Sequence, residues 1–305
     1  MDAGTGGGAD APHLPIDELD ALFSRPDAWA GLDADTLGQL LAYECLACGL
    51  RPDSEATFRL LGLVRVAADR LHPAVRLRVV SYVARAVERV HRQRDVRTGA
   101  GATSGLLAFI LGDPDPSVVS AAACELAILL PLDGGDPLTG PKYIASLFDQ
   151  VALEDARAGI IGGLLLLGDP RVGELVDGAW MRLGDEGRQT LALVIQGFHG
   201  LHPLAIRFLL GWLEYEAAQP DSATFGVVAA TMARAGHHAA EFGVVEVRRA
   251  FPVTDAPEGR PYEVVREWRH QEFLPLVSDR LLALASADRP PELVLAVLRH
   301  WGLGD

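Results

Sequence analysis

Residues 153–183 read LEDARAGIIGGLLLLGDPRVGELVDGAWMRL and contain two apolar segments separated by a Gly-Asp-Pro turn. In both segments the apolar residues recur every three or four positions, which is the period of an α-helix. The first set is Leu153, Ala156, Ile160, Ile161, Leu164, Leu165 and Leu167, and the second is Val172, Leu175, Val176, Ala179 and Leu183. The stretch therefore predicts two consecutive helices.

The turn between these helices has a suitable residue at each position. Gly168 can take a positive φ at a helix C-terminus, and Asp169 can cap the next helix. Pro170 suits a first helical turn because the amide it lacks would be unpaired there. The first helix also carries three glycines at which neighbouring backbones could approach closely, namely Gly159, Gly162 and Gly163.

Helical segments of this kind follow one another along most of the chain. The predicted starts of successive second helices are 43, 38, 32 and 35 residues apart, a range typical of two-helix solenoid repeats; they are Pro73, Pro116, Glu154, Glu186 and Asp221. Loops are expected at 99–104 and 132–141, and helices at 203–217 and 221–235. After residue 235 this regular spacing of helices ends. The run at 244–251 favours β-structure, and the sequence does not decide between a helix and a strand there.

The pattern resembles HEAT repeats, especially the variant first recognised in phycobilin lyases. The second helix of that repeat begins with Asp, then Val-Arg, then small residues ending in Leu, and its next first helix starts Gly-Asp-Pro-Arg. The first motif is matched at Asp115, Val118, Ala121–Ala123 and Leu126, the second at Gly168–Val172, and Val75-Arg76 also fits. The sequence departs from the repeat at Val119, where arginine is usual.

The resemblance implies an all-α fold, a right-handed α-solenoid of antiparallel helix pairs, with an irregular segment near 236–273. We expect residues 1–13 to be disordered and residues 14–305 to form a single domain. Within it the repeats are clearest over 55–235, the insertion covers 236–273, and capping helices occupy 275–301.

Composition restricts the partners that the protein is expected to have. The 305-residue chain has a formal net charge of −14 and a pI near 5.0, so nucleic acid and anionic lipid are not expected to attract it. No apolar run approaches a membrane helix, and the start MDAGTGGGADA lacks the features of a signal peptide. A cytoplasmic protein is the expectation, with no membrane, no cofactor and no metal; oligomeric state is left open.

The first candidate site is a basic segment at residues 65–97, which holds nine arginines against three acids. Helical spacing places four of them on one face, namely Arg78, Arg85, Arg89 and Arg92. Because second helices of HEAT-like repeats usually line the concave side, the resemblance implies that some of these arginines point into a groove. The alternative is a solvated face neutralised by residues 1–55, which contain eleven acids and two arginines.

The second candidate site lies in the irregular segment, which combines aromatic, arginine and histidine side chains at Tyr262, Arg266, Trp268, Arg269 and His270. Such side chains are frequent at binding hot spots. The alternative is a loop that packs on the last helices and buries Trp268 and Phe273.

Three further groups are interpreted as structural. Cys45 and Cys48 have the spacing of zinc and redox sites, but only one more cysteine exists, so a core role is preferred. The histidine pairs 199/202 and 237/238 have no obvious carboxylate at helical spacing and are interpreted as exposed turn residues. A third group could line a small-molecule pocket or belong to the outer-helix core, and it comprises Trp180, Trp212 and Tyr215.

The favoured function is a non-enzymatic HEAT-like scaffold that grips a protein or peptide along its concave face. The alternative is an enzyme in the solenoid groove, either a HEAT-like DNA glycosylase for alkylated bases or a lyase-type or biosynthetic enzyme acting on a small molecule. The His-Glu dipeptides of HEAT-like di-iron hydroxylases are absent from the sequence, as are Gly-rich phosphate-binding loops and Gly-x-Ser-x-Gly elbows.

Overall fold

The computed structural model describes residues 14–48, 54–92, 96–130, 136, 138–198, 201–219, 222–249, 263–287 and 290–304. Within these ranges, side chains are not described at 54, 90–92, 96–102, 246–249 and 263–266. The predicted disordered residues 1–13 and the turn at 252–261 lie outside the described part.

The fold is all-α apart from one hairpin. Its helices are α1 Ile16–Phe23, α2 Ala34–Ala47, α3 Ser54–Arg70, α4 Pro73–Arg92, α5 Val96–Gly112, α6 Pro116–Leu129, α7 Thr139–Leu147, α8 Glu154–Leu166, α9 Gly173–Trp180, α10 Asp185–Gln196, α11 Pro203–Ala217, α12 Ala223–Phe242, α13 His270–Phe273, α14 Pro275–Ala285 and α15 Glu292–His300. Short 3₁₀ turns cover Pro26–Gly31, Phe148–Gln150 and Pro170–Val172. The strands are β1 Val244–Arg249 and β2 Glu263–Trp268.

Alternate helices pack side by side. Helices α2, α4, α6, α8, α10 and α12 contact one another in that order, and α15 follows α12; we call this the first row. The second row consists of α3, α5, α7, α9, α11 and α14, which pack against the first row and, in the pairs α3/α5, α7/α9 and α11/α14, against each other. The buried apolar side chains form one continuous core between the two rows.

The Gly-Asp-Pro turn has the predicted geometry. Gly168 has φ of 65°, and the Asp169 carboxylate accepts from the backbone N–H of Arg171. Pro170 then opens a 3₁₀ turn, which leads into α9. Two details differ from the prediction: α9 ends at Trp180, before residue 183, and Leu153 is 54% exposed because it precedes the first helical turn.

The three glycines of α8 permit the close approach that was expected of them. A Cβ added at Gly159 would lie 2.6 Å from the Pro116 carbonyl oxygen, and one at Gly163 would lie 2.8 Å from that of Ser120. Since real Cβ atoms do not approach backbone so closely, only glycine allows α8 and α6 to pack at this distance.

A buried ion pair joins α4 to the segment between α5 and α6. The Arg76 guanidinium donates to both Asp113 carboxylate oxygens, at 2.7 Å and 3.0 Å, and also to the carbonyl oxygens of Ala68 and Leu71 at the end of α3. Asp113 in turn accepts from the backbone N–H of Asp115, which caps α6. Arg76 thus ties α3, α4 and the start of α6 together.

The sequence-based element boundaries need three corrections. Residues 99–104 are not a loop but part of α5, which contacts α2, α3, α4 and α6, so packing outweighs the low helix propensity of its glycines. Helix α12 continues past residue 235 to Phe242. Helix α7 begins at Thr139, inside the loop predicted at 132–141. The run left open between helix and strand forms a strand at 244–249, and the other described residues of 236–273 include the end of α12, the strand 263–268 and α13.

The hairpin is antiparallel, with Val244 opposite Trp268 and Arg249 opposite Glu263. Gly243 separates it from α12 with a φ of 76°, a conformation that favours glycine. The backbone N–H of Val245 donates to the Leu201 carbonyl, and this bond anchors the hairpin to the segment before α11. Among the described residues, no helix is long and apolar enough to cross a membrane.

Candidate functional site

Helix α4 exposes a basic face that also carries an aromatic ring. Its exposed side chains include Arg78, Tyr82, Arg85 and Arg89, spaced four, three and four residues apart, and together they form what we call the arginine face. Tyr82 is 54% exposed. With a rise of about 1.5 Å per residue, Arg78 and Arg89 are separated by about 17 Å along the helix.

The amphipathic sequence of α4 determines where this face lies. Four valines on the opposite side are buried, namely Val79, Val80, Val83 and Val87. They face the core, where α4 contacts α2, α5 and α6. The arginines therefore point away from the core, on the free side of the first row.

The arginine face has no carboxylate partner among the described residues. No Asp or Glu there lies within 4.0 Å of the guanidinium groups of Arg78, Arg85 or Arg89. The alternative of a solvated face neutralised by residues 1–55 stays a prediction, because residues 1–13 and 49–53 lie outside the described part. Arg182, by contrast, is an exposed arginine that does form an ion pair: its Nη1 lies 2.7 Å from Oδ1 of Asp149. The backbone of Arg92 is part of α4, but its side chain lies outside the described part.

The second candidate set does not form one exposed cluster. Trp268 is half-buried with its ring 5.9 Å from that of Phe273, and the His270 ring stacks on Trp301 at 6.0 Å. Arg269 is exposed, at the residue preceding α13. In the hairpin register Arg266 is opposite Glu246, with its side chain outside the described part, and Tyr262 lies outside it entirely. Trp268 and His270 thus pack against the C-terminal helices.

Cys45, Cys48 and Cys124 are buried and are not joined by a disulfide bond. Burial raises the pKa of the Cys45 thiol, and the neighbouring Cys48 and Glu44 raise it further, so this thiol is protonated and unreactive at neutral pH. Among the described residues no group of three or more His, Cys, Asp or Glu side chains could hold a metal ion.

The histidines are not the exposed turn residues that the sequence suggested. His237 and His238 lie within α12, and His237 Nε2 is 3.4 Å from a Glu241 carboxylate oxygen, four residues further on, so a carboxylate at helical spacing does exist. His202 is buried with its Nδ1 2.9 Å from the Val245 carbonyl oxygen, and it supports the hairpin. His199 lies outside the described part.

Trp180, Trp212 and Tyr215 pack against one another. The Trp180 ring meets those of Trp212 and Tyr215 edge-on at 5.9 Å and 5.3 Å. The Arg188 guanidinium lies 4.8 Å from the centre of the Trp180 ring, and Glu216 accepts from Trp212 Nε1. Trp180 and Trp212 are buried and Tyr215 is 41% exposed, so the two tryptophans belong to the packing of α9, α10 and α11 and the tyrosine lies at its surface. Sequence patterns did not single out Arg188 or Glu216, because the burial of a charged side chain depends on neighbours that are distant along the chain.

No family model matches this chain, and comparison with curated proteins and with solved structures likewise finds no match.

Proposed function

We propose that this protein is a non-enzymatic scaffold, a HEAT-like α-solenoid that binds an acidic segment of a partner protein on the arginine face. The arrangement in two rows supports the solenoid part of the proposal, because stacked helix pairs are the architecture of α-solenoids. The observation that carries the binding site is the exposed set Arg78, Tyr82, Arg85 and Arg89, whose cations have no carboxylate partner among the described residues.

The chemistry of the face favours carboxylates as ligands. A guanidinium presents its donors in a planar fork that matches a carboxylate with two parallel hydrogen bonds. Tyr82 lies between Arg78 and Arg85 and offers a ring that can cover an apolar side chain of the partner. An acidic segment with an apolar residue among its acids complements this pattern.

Nucleic acid is a weaker match to the same face. The net charge of −14 opposes long-range attraction of a polyanion. A base-excision enzyme would also need a tryptophan beside the basic groups, whereas the aromatic side chain of the arginine face is that of Tyr82. A protein partner therefore remains the proposal.

The test compares two triple charge reversals of the full chain. One variant carries Arg78→Glu, Arg85→Glu and Arg89→Glu; the matched control carries Arg207→Glu, Arg234→Glu and Arg299→Glu, which are exposed arginines on α11, α12 and α15. Both change the net charge equally. The probe is a fluorescein-labelled peptide of glutamates with interspersed leucines, and binding is measured by fluorescence anisotropy.

We expect the arginine-face variant to bind at least about tenfold more weakly, since exposed ion pairs contribute roughly 0.2–1 kcal/mol each and reversal adds repulsion. The control should stay within about twofold of the unmodified protein, and added salt should weaken binding. Equal losses in both variants would assign the binding to net charge alone. Binding of a single-stranded oligonucleotide in preference to the peptide would contradict the choice of partner.

A further inference from the structure

The free surface of the first row is interrupted at α8. Eight consecutive residues of this helix, Ala158 to Leu165, are buried. Because eight residues make more than two turns, no side of the helix reaches solvent over that length. A helix at the middle of an open row would leave one stripe exposed, as α4 does.

The cause is a contact between the two neighbours of α8. Helices α6 and α10 touch each other across it. At the crossing, a Cβ on Gly162 would lie 2.7 Å from Val194 Cγ1 of α10 and 2.9 Å from Ser120 Oγ of α6. The glycine thus lets α6 and α10 close over α8, on the side where the first row would otherwise be open.

The exposed side chains of the first row differ in charge before and after α8. Before α8 the row presents the arginine face. After α8 it presents Leu193 on α10, which is 60% exposed, and on α12 the exposed Arg234 together with the pair of His237 and Glu241. Arg234 is the one exposed arginine of the described helices α10 and α12, so the set of three exposed arginines on α4 is not repeated there.

Building on the proposed function, we infer that the acidic partner is held only on the part of the first row that precedes α8, as a short segment centred on α4. The partner's carboxylates engage the arginine face over about 17 Å, a length spanned by about three turns of helix or about five extended residues. The segment does not run on to α10 and α12. Affinity is thus set by the pattern of acids in a short motif and not by the length of the partner.

Photo-crosslinking from two engineered cysteines tests this inference. Ser81→Cys places a benzophenone label beside the arginine face, and Leu193→Cys places one on α10; both positions are exposed, and the native cysteines Cys45, Cys48 and Cys124 are buried. The probes are acidic peptides of about 14 and about 30 residues; the longer one, at about 3.3 Å per extended residue, could reach α10 if the surface were continuous. The unmodified protein treated with the same label is the control.

We expect both peptides to crosslink from position 81 and neither to crosslink from position 193, with the two affinities within about twofold of each other. Crosslinking of the longer peptide from position 193, or an affinity gain of about tenfold with length, would overturn the confinement while leaving the arginine face as a binding site. Absence of anisotropy change with either peptide on the unmodified protein would overturn the proposed function itself.

Discussion

At the scale of single residues, burial controls the chemistry of Cys45. The side chain is fully buried in α2, and α5 packs so closely on it that a Cβ at Gly105 would lie 2.5 Å from the Cys45 carbonyl oxygen. Desolvation is the largest cause of its raised pKa, because a thiolate would lose its hydration there. The spacing Cys45-x-x-Cys48 therefore belongs to the core in this chain.

The raised pKa predicts a loss of stability in alkali. The folded thiol stays protonated above its ordinary pKa of 9.0, whereas the unfolded thiol ionises there. The unfolded state then binds fewer protons, so the free energy of unfolding falls as pH rises, by up to about 1.4 kcal/mol per pH unit for one group. Urea unfolding between pH 8 and pH 10.5 should show a steeper decline in the unmodified protein than in Cys45→Ala, in which other titrating groups are unchanged. Parallel curves would mean that Cys45 ionises in the folded state.

Residue patterns predicted which side chains are exposed better than they predicted which buried side chains contact each other. The seven- and four-residue spacings of Arg78, Arg85 and Arg89 place them on one helix face, and all three are exposed. The buried contacts of Arg188 and Glu216 gave no such signal, because they join α10 to α11, whose relative placement depends on the packing of the whole fold.

At the scale of elements, helices α6 and α8 pack closely through a glycine of α8. A Cβ at Gly163 would lie 2.6 Å from the Ala123 Cβ and 2.8 Å from the Ser120 carbonyl oxygen. Alanine there must push the two helices apart, although alanine is the better helix former by about 1 kcal/mol. The packing cost, typically about 1–3 kcal/mol, exceeds this gain.

We therefore expect Gly163→Ala to lower the thermal unfolding midpoint. Gly38→Ala in α2 is the matched control, because a Cβ at that helical position meets no atom within 4 Å. It should raise the midpoint slightly, through helix propensity alone. If both variants shifted the midpoint in the same direction, propensity and not the α6–α8 contact would govern these positions. Circular dichroism during heating measures both.

Elements whose ends are marked by local signals were predicted well. Asp169 caps the segment that follows it, as its position before a helical pattern indicated, and Asp33 and Asp115 cap α2 and α6 in the same way. The loop predicted at 99–104 was wrong because glycine content is a local signal that tertiary contacts of α5 override. The hairpin could not be predicted because β2 pairs with β1 across an intervening 13-residue segment, 250–262, and short apolar runs suit strand and helix equally.

At the scale of the whole molecule, contacts along the first row join mainly successive helices, with the α6–α10 contact as an exception. When contacts join mainly neighbouring helices, the free energy of unfolding is a sum of local contributions. Local unfolding at one end of the chain therefore need not extend to the other end. A buried tryptophan occupies each end of the described fold. Trp29 stacks on Phe23 and donates to the Leu22 carbonyl, whereas Trp301 donates to the Met232 carbonyl of α12.

Replacing these tryptophans one at a time tests whether stability is local. In Trp301→Ala the indole that packs on Gly236 and His270 is lost, at a cost of about 3–5 kcal/mol. We expect amide hydrogen exchange to accelerate in α12–α15 and the hairpin while α2–α6 keep their protection. Trp29→Ala, the matched change at the other end, should accelerate exchange in α1–α3 and leave α11–α15 protected. Loss of protection along the whole chain in both variants would instead mean that the two rows unfold as a single cooperative unit, because a purely local defect could not reach both ends.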